Sequence, residues 1–183
     1  RLGTLVVAVT LPGGDLPAVV FLPDVSQSTG TSRPVGTQAA TPTIDDSGTS
    51  GARLTIAAGS SLGLPGGAAT VTVRTGSLQT AHLPGDLPTA SGAARLFGRG
   101  FYIDPPDVTF TDATLDGADD LALAVGVTAT LYHLDETSGD WQAVATNIAS
   151  SGGRFVQPVT AGGLYVFGTS VAAGSVAGRV VDA

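Results

Sequence analysis

Few residues in this chain have the types and spacing to do chemistry. Gly59-Ser-Ser-Leu-Gly63 fits the G-x-S-x-G spacing of serine hydrolases, with Ser61 at the nucleophile position. That elbow needs a strand before the serine and a helix after it. A strand-like run precedes Ser61, but Leu64-Pro-Gly-Gly67 follows, and proline and glycine do not open a stable helix interior. The stretch therefore reads as a loop. Two histidines, His82 and His133, with no cysteine, fall short of a zinc site unless aspartates complete it. His133 sits inside a strand-like run, where a packing or solvent-facing role is the default. Asp116, Asp119 and Asp120 crowd what reads as a short loop, and Asp45-Asp46 form a second acidic pair. Hard oxygen donors at loop mouths suit calcium, although the EF-hand spacing is missing. Calcium on Asp116, Asp119 and Asp120 is the one cofactor left open, beside the plainer reading of a solvated turn. Asp135, Glu136 and Asp140 flank a hairpin turn and have the same plain explanation. A carboxylate pair for glycoside hydrolysis has little to draw on with one glutamate, and a single tryptophan gives little surface for stacking sugars.

The ionic composition narrows the partners. The chain has 183 residues, no lysine, eight arginines, fourteen aspartates and one glutamate, with a net charge of −7. Phosphate binding needs clustered basic charge, and these arginines are scattered, so no nucleic-acid partner is expected. Aspartate without glutamate or lysine suits turns and argues against long surface helices. Zero cysteine removes disulfides and thiolate chemistry without fixing the compartment. The missing lysine also removes the Lys–Asn isopeptide crosslink that locks many secreted fibrous sandwiches. No run approaches the roughly 20 apolar residues of a membrane-spanning helix. Arg1 rather than Met opens the sequence, which reads as a processed product or a fragment.

The elements that must position these residues read as strands. Gly and Pro total 37 residues, which implies many turns and short elements. Gly3–Thr10 and Ala18–Leu22 form an N-terminal hairpin signal over residues 1–25. Residues 26–50 are dominated by Ser, Thr, Gly and Pro, with Val35 and Ile44 the large aliphatics, and read as a connector lying against this domain or a neighbour. From Gly51 the pattern tightens. Leu54 and Ile56 alternate with polar residues, as do Val71 and Val73. Ala93–Ile103 reads as a strand with a bulge near Gly98 and Gly100. Residues 127–167 hold the only tryptophan and two of three tyrosines in short β-branched and aromatic runs, and read as a β-meander with a turn at 135–140. Trp141 and Tyr165 are expected to be packing residues there. The fold class expected is all-β: an antiparallel β-sandwich over 51–170, with long irregular loops and little or no helix. Residues 171–183 read as a C-terminal strand that could start a further module.

Several of these phrases resemble a known family. Gly51-Ala-Arg-Leu-Thr-Ile-Ala-Ala-Gly59, Val71-Thr-Val73, Ile103-Asp-Pro-Pro-Asp-Val-Thr-Phe110, Leu131-Tyr-His-Leu-Asp135, Trp141-Gln-Ala-Val144 and Leu164-Tyr-Val-Phe167 follow the order of a ZU-type β-sandwich module. That module occurs in zonula-occludens proteins, ankyrins and netrin receptors, and in secreted bacterial surface proteins. Some relatives cleave themselves at a His-Phe-Ser sequence before the last strand. Here that stretch is Thr160-Ala-Gly-Gly-Leu-Tyr165, so the resemblance implies no self-cleavage. The two chain ends resemble strands of carboxypeptidase-regulatory-like modules.

The resulting expectation is a non-catalytic structural or adhesive module, extracellular or at a bacterial cell surface. It would be part of a larger surface protein or a subunit of a surface polymer. Its partners would be neighbouring copies or modules, joined when a terminal strand completes a neighbour's sheet edge. Leu5, Val7 and Val9 are the row to be inserted at one end, and Val176 plays that part at the other; the plainer reading is that both segments pair within their own chain or belong to modules that the fragment has lost. A calcium- or carbohydrate-binding module is the second reading, and a hydrolase the third.

Overall fold

A computed structural model describes residues 30–45, 51–84, 87–88 and 93–172. The hairpin expected over 1–25, and Leu5, Val7, Val9, Asp46 and Val176, lie outside the described residues. Twelve strands and one 3-10 turn (Thr80–His82) make up the described part. They form two antiparallel sheets packed face to face, so the all-β sandwich is what the chain adopts.

The first sheet has the order β1 (Thr31–Pro34), β6 (Thr70–Leu78), β7 (Ala93–Asp104), β12 (Gly163–Ala172), β9 (Thr128–Leu134), β10 (Trp141–Ala149). In the second sheet β8 (Thr109–Ala118) is central. Along one side of β8 runs β11 (Arg154–Ala161). Along the other lie β4 (Arg53–Ile56) and β5 (Ser61–Gly63), which are flanked by β3 (Thr43–Asp45) and β2 (Gly36–Thr37). Residues 127–167 are thus not a simple meander. After the β9–β10 hairpin the chain crosses to the second sheet as β11, and β12 returns to sit between β9 and β7.

Residues 30–45 of the polar stretch are part of the sandwich, because they supply β1, β2 and β3. Three side chains hold them. Ile44 is buried in the main core and Val35 packs against that core. Gln38 is also buried, and its Nε2 donates to the carbonyls of Pro34 and Gly36 at 2.8 and 2.9 Å. A polar segment orders when its few apolar residues find a core and its buried amides find partners.

Between the sheets lies the main core, including Leu54, Ile56, Val73, Phe101, Ile103, Phe110, Leu115, Leu131, Phe155, Tyr165 and Phe167. Phe155 and Phe167 stack across the two sheets with centroids 4.6 Å apart, and Phe101 meets Phe167 edge-on at 5.9 Å. Gly117 makes room for this packing, since a Cβ there would stand 2.7 Å from the Phe101 ring. A second apolar cluster lies on the other face of the first sheet: Tyr102, Tyr132, Leu134, Trp141, Leu164 and Val166, with Leu83, Leu87 and Phe97 against it. The bulge expected near Gly98 and Gly100 coincides with a register shift, where Val166 pairs Gly100 and Gly168 pairs Phe97.

Candidate functional site

The three carboxylates proposed for calcium do not come together. Asp116 is in β8, not in a loop, directly opposite Arg53 of β4. Its Oδ1 accepts from Arg154 Nε, and its Oδ2 is 3.6 Å from Arg53 Nη1. Arg154 also donates to the Gly51 carbonyl at 2.7 Å, so this ion-pair group ties β4, β8 and β11 together. Asp119 turns back on its own loop, its Oδ1 accepting from Leu121 N at 3.1 Å. Asp120 points to the first sheet, where Oδ2 accepts from Arg99 N and Nε at 3.0 and 3.1 Å. The end of β8 at Ala118 explains the separation, because Asp116 leaves from a paired strand while Asp119 and Asp120 leave from the loop after it, and each meets a different cation or amide. Among the described residues no group of three or more His, Asp or Glu converges as a metal site. The Arg99–Asp120 pair borders a cavity of about 410 Å³ that Ser77, Gln79 and Thr80 also line.

The serine motif is equally structural. Ser60 is buried, and its Oγ accepts from Asp112 N at 3.0 Å. Ser61 begins β5, exposed, with its N–H donating to Thr111 Oγ1 at 2.8 Å. A turn follows β5 rather than a helix, so no elbow lifts the hydroxyl. His133 belongs to the other sheet.

His133 sits at an end of the sandwich that carries several polar side chains. The β9–β10 turn, the Asp104–Pro106 connection and the β11–β12 turn meet there around a cavity of about 280 Å³. Asp107, His133, Asp135, Glu136 and Gln142 line it. The imidazole stacks on Tyr165 with centroids 4.4 Å apart, and Nε2 lies 2.9 Å from the Gly162 carbonyl. A carbonyl only accepts, so Nε2 carries the proton. Burial pushes the His133 pKa below 6.5, against smaller opposing effects of the Gly162 carbonyl and Asp135. The two glycines of the turn are required by close approach. A Cβ on Gly162 would stand 2.1 Å from the Pro105 carbonyl, and Gly163 has φ +101 with His133 Nε2 2.8 Å from its Cβ position. Asp135 closes the hairpin, its Oδ1 accepting from Thr137 N, which with Ser138 N holds its carboxyl below the usual range. Gln142 Nε2 donates to the other Asp135 oxygen at 3.1 Å.

Sugar stacking has no platform among the described residues, because the tryptophan and all three tyrosines are buried. Trp141 donates its Nε1–H to the Pro84 carbonyl at 3.0 Å and Tyr165 its hydroxyl to the Ala161 carbonyl at 2.8 Å. Burial raises the Tyr102 and Tyr165 pKa values above the ordinary 10, so both phenols stay neutral.

The structure thus defines a class, an antiparallel two-sheet β-sandwich whose described polar groups mostly serve the fold. In comparison with known proteins, no family model, curated protein or solved structure matches the chain. Among the described residues no helix is long and apolar enough to cross a membrane.

Proposed function

We propose that this chain is a non-catalytic structural module of an extracellular or cell-surface protein, bacterial in type, that joins neighbouring copies or modules by strand addition. The observation that carries this reading is the use made of the residues that looked chemical. Asp116 and Arg154 clamp three strands, Ser60 fastens β5 to β8, and Trp141 and Tyr165 donate to backbone carbonyls. Side chains committed to ion pairs and backbone partners are poorly placed to act on a substrate, whereas a scaffold needs them there. The ZU-type phrasing between residues 51 and 168 agrees with such a role. Calcium binding is the second reading. Its support is the chain's excess of acidic residues, fifteen against eight arginines, since among the described residues no three carboxylates converge.

Sedimentation velocity of the full chain over a hundredfold concentration range tests the proposal, with thermal melts in calcium and in chelator. Growth into multiples of the monomer mass, with a calcium-independent melting temperature, is the expected result. A monomer at every concentration would sink the assembly reading. A melting temperature raised by calcium and restored by chelator would favour the second reading.

A further inference from the structure

We infer that the outer edge of β10 accepts the added strand, and that its occupant is the segment Gly3–Thr10 of a second copy. This rests on the strand-addition reading above. The four borders of the sandwich differ in how they are defended. On one side β1 has four residues including Arg33 and Pro34, while β2 and β3 have two and three residues. Short strands, charges and prolines are the usual means of blunting an edge. On the other side β11 carries Arg154 and Pro158. β10 is nine residues long, Trp141-Gln-Ala-Val-Ala-Thr-Asn-Ile-Ala149, with neither charge nor proline. Among the described residues no strand pairs along its far side. Its blunting is limited to bulges against β9 beyond Ala143 and beyond Ala145, near Asn147 with φ +58. Val144 is 52% exposed on this strand.

The occupant follows from charge and length. Each copy carries −7 with no lysine, so two copies repel unless neutral segments meet. Gly3-Thr-Leu-Val-Val-Ala-Val-Thr10 is neutral, rich in β-branched residues and free of proline. Its eight residues span about 27 Å as a strand, against about 30 Å for β10. Antiparallel or parallel addition would satisfy the outward N–H and C=O groups of β10, and the period of two would put Leu5, Val7 and Val9 on one face.

The test uses the full chain with single substitutions, Val144→Lys on the acceptor and Val7→Lys on the donor, each checked by circular-dichroism melting. Val144→Thr is the control for side-chain shape, and Thr146→Lys on β10 and Val9→Lys on the donor serve as second variants should either lysine variant fail to fold. Both lysine variants are expected to weaken self-association at least tenfold while keeping the wild-type melt, and Val144→Thr to associate as the wild type does. Wild-type association by Val144→Lys, with Val7→Lys or Val9→Lys impaired, overturns β10 as the acceptor and leaves strand addition standing. Impairment by Val144→Lys alone overturns the occupant, pointing to β10 against β10 of a second copy. A wild-type chain that stays monomeric overturns the function proposed above as well.

Discussion

The two faces of the six-stranded sheet are both apolar, but they are covered by different things. The inner face meets a second sheet, and Phe101, Leu131, Tyr165 and Phe167 interleave there with Leu54, Ile56, Leu115 and Phe155. The outer face carries Tyr102, Tyr132, Trp141, Leu164 and Val166 and is met by Leu83 and Leu87 from the connection after β6. One cover is a hydrogen-bonded sheet; the other is a loop. Burial of a large apolar side chain is worth about 1.5–3 kcal/mol in either place, but a loop, with no ladder of sheet hydrogen bonds to break, can leave without unfolding the rest. The comparison predicts a globally cooperative inner core and an outer cluster whose cover opens locally.

Phe167→Ala gives the largest effect. Phe167 is 1% exposed and touches rings from both sheets, so truncation leaves a cavity at the centre and should cost about 3–5 kcal/mol. Urea denaturation followed by fluorescence and by circular dichroism should show both probes shifting together. A loss below about 1 kcal/mol would mean that the inner face is not the main core.

Trp141→Phe acts on the outer cover and should cost less. It keeps an aromatic ring, removes the Nε1–H that donates to the Pro84 carbonyl, and shrinks the side chain. A lost hydrogen bond and a small volume change together amount to about 1–2 kcal/mol. Hydrogen exchange should quicken in residues 79–84 and leave β4 and β8 unchanged. Equal quickening in β8 would merge the two clusters into one cooperative unit and break the comparison.

This contrast also shows where the sequence was legible. Leu164-Tyr-Val-Phe167 is a continuous apolar run, and such runs mark strands covered on both faces. The run announced a buried strand but not which residues point which way, so Trp141 and Tyr165 read as one packing group when they lie on opposite faces. Strands β4, β6 and β9 were legible from alternation and β-branched content. β11 was not, because Pro158 interrupts it, and proline is tolerated there only because β11 is an edge strand. β1 to β3 were hidden by composition, since their order depends on Gln38 and Ile44 finding distant partners. Of the candidate site, the lack of a helix after Ser61 was legible from the Leu-Pro-Gly-Gly that follows it, but the loop expected there was not, since Ser61–Gly63 form β5 by pairing with β8 and β2. The separation of Asp116 from Asp119 and Asp120 needed the strand boundary, because Asp116-Gly-Ala looks like a turn when Phe101 is not seen packing on Gly117.

The smallest effect comes from the rim of the inner core, where His133 joins the main cluster to the polar end through Tyr165. The folded-state pKa of His133 lies below its unfolded value of about 6.5 because burial disfavours the imidazolium. Below pH 6.5 the unfolded chain therefore binds more protons than the folded one, and stability falls as pH drops toward the folded pKa. The contribution is fully present above about pH 6.5 and fades below it. His133→Gln keeps a donor for the Gly162 carbonyl and cannot titrate. The stability difference between wild type and this variant should be constant from pH 8 to 7 and move against the wild type from pH 6.5 to 5, as followed by melts at each pH. Taking the difference cancels the aspartates, which titrate in both proteins at lower pH. A difference that does not change with pH would place His133 in water rather than against Tyr165, and the inner core would then stop short of the polar end.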